Sequence, residues 1–154
     1  MKDELTLEEV RERVAGVRVA MVTTVERDGE LSARPLTVQR ISDHGVVEFL
    51  VARDAGWAVE GQRADVALVD EGTTWVSVSG TAWYNDARPA VEELWDEMSA
   101  RLFDSEDDAV VMQVAGTTWS YWAAPNKIAQ VFELAKAFLM DDQPDLGTSG
   151  TITT

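Results

Sequence analysis

The stretch that most constrains this chain is Val19 to Gln39, VAMVTTVERDGELSARPLTVQ, which reads as two long strands joined by one tight turn. Val19, Val22, Thr23, Thr24 and Val25 are β-branched and favour extended backbone. Apolar and small residues from Val17 to Val25 fall on both sides of that strand, so both faces are expected to be covered. Arg27, Asp28 and Gly29 supply the turn, because Asp-Gly readily takes the positive φ that tight hairpins need. The second strand runs from Leu31 to Ile41, and its part up to Gln39 places one arginine, Arg34, in an otherwise apolar barrel wall. That arginine is the best anion anchor in the sequence.

The chain has 154 residues, 45% of them hydrophobic, enough for a single domain with a core. No apolar run approaches the ~20 residues that span a bilayer, and the opening MKDELTLEEV is acidic and amphipathic, unlike a secretory signal. A cytoplasmic location is the default expectation. With no cysteine there is no disulfide, thiolate nucleophile or sulfur metal site, and the one histidine, His44, sits in the turn-like SDHG. A formal charge of −15 repels both nucleic acid and anionic membrane, since binding either depends on neutralising phosphates. Neither is expected as a partner.

Several further elements can be placed. Leu5 to Ala15 reads as a helix, with Thr6 and Glu9 forming a capping box and Leu7, Val10 and Val14 on one stripe. Val46 to Val51 is a short apolar strand, Asp54 to Gln62 is expected to make one or two helical turns ending at Gly61, and Ala64 to Val69 alternates as a fourth strand. In Trp75 to Tyr84, Val76, Val78 and Ala82 face one way, while Trp75, Ser77, Ser79, Thr81 and Trp83 face the other. That second face either lines a site or is merely a solvated surface. Gly80 marks a bulge or a close approach. A single helix is expected from Asp86 and Pro89 through Leu102, on the spacing of Val91, Leu94, Trp95, Met98 and Leu102.

The acidic DSEDD, Asp104 to Asp108, lacks the alternating ligands and central glycine of a calcium loop, and no metal is expected there. A long strand follows from Ala109 to Trp122, then a turn at Pro125 and Asn126 and a last strand near Ile128 to Leu134. Residues 1–140 are expected to form one domain, and 141–154 a loosely ordered tail. Six or seven strands with few helices between them argue for a mainly β fold, an antiparallel barrel with peripheral helices.

Five pieces in register, AMVTT with the DG turn and ARPL, VSVSGTA, ELW, the DD before a long strand, and SYW, resemble the pyridoxamine 5'-phosphate oxidase-like FMN-binding split barrels, in their general stress protein branch. The resemblance covers most of the chain. It implies a homodimer with FMN sites at the subunit interface, and a flavin whose ring accepts or donates hydride, so that no catalytic side chain is required. Arg34 would meet the cofactor phosphate. Pro35, Leu36 and Thr37 would pass along the ring edge, Val51 would end the neighbouring strand, and Trp119 and Trp122 of the partner copy would close over the ring. Pyridoxamine phosphate oxidation itself is not expected.

Two positions depart from the family pattern. The family's serine and lysine that grip the phosphate after the third strand stand here as Ala55 and Trp57, the nearest cation is Arg53, and a position where some relatives carry lysine is Gln39. Two lost charge-assisted bonds weaken phosphate binding by roughly 3–6 kcal/mol. Arg34 has two open assignments, a phosphate or a carboxylate, and the tryptophans either stack on a cofactor or pack the protein. The function alternatives are a flavin-dependent oxidoreductase of a small molecule, a barrel with another planar cofactor such as a deazaflavin or haem, and a cofactor-free dimer acting as a binding or interaction module.

Overall fold

In the computed structural model, which describes residues 4–71, 73–123, 139 and 148–154, the Asp-Gly hairpin forms as its residues dictate. Gly29 takes φ 85°, its N–H donates to the Glu26 carbonyl at 2.9 Å, and Asp28 Oδ1 accepts from the Glu30 N–H at 2.9 Å. The chain runs α1 (Leu7–Val14), β1 (Val19–Val25), β2 (Leu31–Ile41), β3 (Val46–Ala52), β4 (Arg63–Asp70), β5 (Thr74–Asn85), α2 (Arg88–Leu94), α3 (Glu97–Leu102), β6 (Ala109–Ala123) and β7 (Thr148–Thr153). A short 3-10 turn, Glu106–Asp108, precedes β6.

All strand pairings are antiparallel, in the order β3-β2-β1-β4-β5-β6-β7, and a further β3–β6 pairing closes the first six strands into a barrel. β6 serves both closures. Its first half, Ala109 to Ala115, pairs with β3, and its second half, Thr118 to Ala123, pairs with β7. The interior is filled by alternate residues such as Val22, Phe49, Val66, Val78, Met112 and Val114, all fully buried. α1 contributes Val10 and Val14 to the same core and carries the expected capping box between Thr6 and Glu9. A smaller cluster of Leu50, Val91, Leu94, Ala109 and Val111 seats α2 outside β3 and β6.

Gly80 serves both expected roles. Ser79 pairs with Thr118 but Gly80 with Gly116, so Thr117 is the extra residue of a bulge, and a Cβ at Gly80 would lie 1.9 Å from the Ala115 carbonyl oxygen.

The structure corrects four expectations. β1 is covered on one face only, since Val19 and Met21 on the other are exposed. The helix expected through Leu102 is broken at Trp95 and Asp96, because Asp96 adopts extended backbone and caps α3, accepting from the Ser99 N–H at 2.8 Å. Asp54 to Gln62 is a series of turns rather than a helix. Its bonds run from Ala55 N–H to the Ala52 carbonyl and from Ala58 N–H to the Ala55 carbonyl, while Gln62 Oε1 takes the Val59 N–H. The tail expected to be loosely ordered contains β7. The turn at Pro125 and the strand near Ile128 to Leu134 lie outside the described residues.

Candidate functional site

A groove opens where two neighbouring strands part. β2 and β3 pair from Ile41 with Val47 to Val38 with Phe49, with a register shift between Val38 and Arg40, and there the pairing ends. Beyond that point β3 stays bound to β6 and β2 stays bound to β1. The edges at Pro35 to Thr37 and Leu50 to Ala52 therefore line a groove of about 340 Å³ instead of bonding each other. Proline, with no N–H to offer, suits such an edge. The groove brings together Arg34, Pro35, Leu36, Thr37, Gln39, Val51 and Trp57 from the residues expected at a cofactor site, and adds Leu50, Ala52, Ala55, Leu102 and Phe103.

Arg34 faces inward from β2, opposite Val22. Its guanidinium is already well supplied with partners. Nη1 donates to Thr24 Oγ1 at 2.7 Å, and Nη2 donates to Ser32 Oγ at 2.7 Å and to Glu26 Oε1 at 2.9 Å. The Trp57 ring lies with its centroid 4.0 Å from the guanidinium carbon, a cation–π stack. Arg34 and Glu26 are largely shielded, with 16% and 20% of their side chains exposed. Of the two assignments open for Arg34, the structure places it with a carboxylate.

Trp57 is held from behind. Gln62 Nε2 donates to the carbonyls of Trp57 and Val25, both at 3.1 Å, and Gln62 Oε1 accepts from the Tyr84 hydroxyl. Burial pushes the Tyr84 phenol above its ordinary range, which keeps it a neutral donor. The buried amide thus has every polar atom engaged and ties the turn after β3 to β1 and β5. Gln39, with its amide oriented to donate, reaches Asp96 Oδ2 and the Leu94 carbonyl at 3.2 Å each, anchoring the α2–α3 junction to β2.

Three expected residues sit elsewhere. Arg53 turns toward the acidic turn before β6: its Nε donates to the Asp107 carbonyl at 2.7 Å, and its guanidinium stands 3.9 Å from Asp86. It lines a neighbouring cavity of about 390 Å³ with Asp54, Asp104 and Asp108. Trp119 has 0% exposure and packs inside the barrel, so its expected role over a partner's ring is corrected: neither face of the indole is open. Trp122 lies on the outer face, beside Trp75 and then Val69 in one exposed row across β6, β5 and β4. On that face Ser77 and Ser79 both donate to Asp65, so they line the outer sheet rather than the groove. In the acidic loop, Glu106 and Asp107 face Arg88 and Asp108 caps its own turn.

Sequence reasoning missed Glu26 and Gln62. Glu26 was legible in principle, since the hairpin register that pairs Thr24 with Ser32 sets it near Arg34. Gln62 gave no local signal.

FMN, which the resemblance implies, divides into a planar ring and a phosphate, and the groove suits them unequally. The ring half fits: apolar walls, freed strand edges and a volume within the ordinary range of small-molecule sites. The phosphate half does not. Arg34 is matched by Glu26, Ala55 has no hydroxyl and its N–H is bonded to Ala52, and an indole stands where an ammonium is needed.

The sequence matches the family description "Pyridoxamine 5'-phosphate oxidase like" over residues 6–145. No curated protein matches it. Among solved structures, a Jannaschia sp. CCS1 protein assigned as general stress protein 26 is 25% identical, covers 96% of this chain and 97% of its own, and superposes with a TM-score of 0.77. A general stress FMN/FAD binding protein of Xanthomonas citri is 22% identical over 74% of this chain and 87% of its own, with a TM-score of 0.62. A heme binding protein of Mycobacterium smegmatis is 16% identical over 99% of this chain and 60% of its own, with a TM-score of 0.60. The last two likenesses are of fold alone.

Proposed function

This chain belongs to the pyridoxamine 5'-phosphate oxidase-like family, and from that premise we propose that it is a flavin-binding protein of the general stress type that oxidises or reduces a small molecule. The observation that carries this reading is the parting of β2 from β3, which opens a groove edged by Pro35, Leu36, Thr37 and Val51. A planar heteroaromatic ring fills such a slot with apolar contact on its faces and finds hydrogen-bonding backbone along its rim. When bound, the flavin supplies the hydride chemistry, and the protein supplies orientation and a dry wall. Leu36, Val51 and Phe103 exclude water, while Gln39 and Gln62 fix the strands and the turn that shape the slot.

Two copies form the working unit in this reading. Exposed Val19 and Met21 on β1, and the row of Val69, Trp75 and Trp122, support burial against a second copy.

Titration of the purified protein into riboflavin tests the function. Quenching of flavin fluorescence with a dissociation constant at or below ~10 μM is expected. The absence of quenching by any flavin at ~100 μM, together with a colourless preparation lacking bands near about 375 and 450 nm, overturns it. That outcome favours the second reading, a cofactor-free interaction module, for which the self-matched Arg34–Glu26 pair under Trp57 is the supporting observation.

A further inference from the structure

Resting on the reading that the groove takes a flavin-type ring, we infer that this chain selects planar ligands without a phosphate, taking riboflavin-class molecules in preference to FMN. Arg34 lines the groove, Arg53 lines the neighbouring cavity that shares Ala52, Leu102 and Phe103 with it, and each already faces a carboxylate, Glu26 at 2.9 Å and Asp86 at 3.9 Å. An incoming dianion must either displace Glu26 from Arg34 or sit beside it. Displacement forfeits charge-assisted bonds, and coexistence sets like charges together in a partly shielded site.

The arrangement is also fixed in place. Thr24 and Ser32 hold the guanidinium in the plane that faces Glu26, and Trp57 covers one face of it. Gln62 grips the Trp57 backbone carbonyl and is itself locked by Val25, Val59 and Tyr84, which fixes the turn from which the indole stacks on Arg34. The N–H groups of Arg53 and Ala55, which follow β3, are spent on the Asp108 and Ala52 carbonyls. A formal charge of −15 adds a field that opposes any polyanion and is indifferent to a neutral ring. Apolar Leu36, Val51, Leu102 and Phe103 continue to offer that ring its contact area.

Parallel titrations of the wild-type protein with riboflavin and with FMN, at one ionic strength, test the inference. Riboflavin is expected to bind at least about tenfold more tightly, the scale of one forfeited charge-assisted contact. Glu26→Gln, which keeps the shape and removes the competing charge, is expected to raise FMN affinity by about tenfold and leave riboflavin affinity within about twofold. FMN binding the wild type as tightly as riboflavin overturns the inference and leaves the flavin reading standing. No binding of either flavin to the wild type sinks the flavin reading. The inference, which needs riboflavin to be bound, falls with it.

Discussion

Gly80 shows how tightly single residues are specified in this barrel. A methyl group there meets the Ala115 carbonyl at 1.9 Å, and the obstacle is backbone, which cannot rotate aside. Gly80→Ala is therefore expected to lose at least about 1–3 kcal/mol of stability, read as a lower urea midpoint. An unchanged midpoint contradicts the bulge geometry. The glycine was legible in the sequence because it interrupts an alternating strand. Arg34 was legible as a cation set among apolar residues, but its partner was not chosen by sequence alone, because phosphate and carboxylate present the same pair of acceptor oxygens to a guanidinium. Trp119 stayed between stacking and packing for a related reason: tryptophan suits both, and only the strand register, which buries it in the barrel, decides which.

Among the elements, strands were more legible than helices. β-branched content and the Asp-Gly turn placed β1 and β2, an apolar run placed β3 and alternation placed β4 and β5, all to within a few residues, whereas the break between α2 and α3 was hidden by an apolar spacing that runs on through Met98 and Leu102, both exposed. Asp96 decides the break. Hydrogen bonds from the Ser99 N–H and hydroxyl hold the Asp96 carboxyl below its ordinary range. A folded-state value below the unfolded one contributes stability above the ordinary carboxylate value of about 4, and that contribution is lost as pH falls through the lowered value. Asp96→Ala is expected to cost about 1 kcal/mol at neutral pH. It is also expected to show a shallower loss of stability than the wild type in denaturation at acid pH, and equal slopes would remove Asp96 from that role.

For the whole molecule, 28 acidic residues against 13 basic ones make self-repulsion a standing cost of the folded state. Raising the salt from ~10 mM to ~500 mM shortens the screening length from about 30 Å to a few ångströms, so the melting temperature is expected to rise. A flat melting temperature over that range shows that local ion pairs, such as Arg40 with buried Glu48 and with Glu93, already balance the field. The barrel as a class was readable from the number of strands and the scarcity of helices between them. Its opening was not, because the parting of β2 from β3 depends on where a pairing stops. The seam that shuts the cylinder joins residues 46–52 to residues 109–115, contacts more than 50 positions apart in the chain. A nascent polypeptide that has emerged only as far as α3 still lacks the staves on the far side, so its apolar interior stays open to solvent until β6 clears the ribosome.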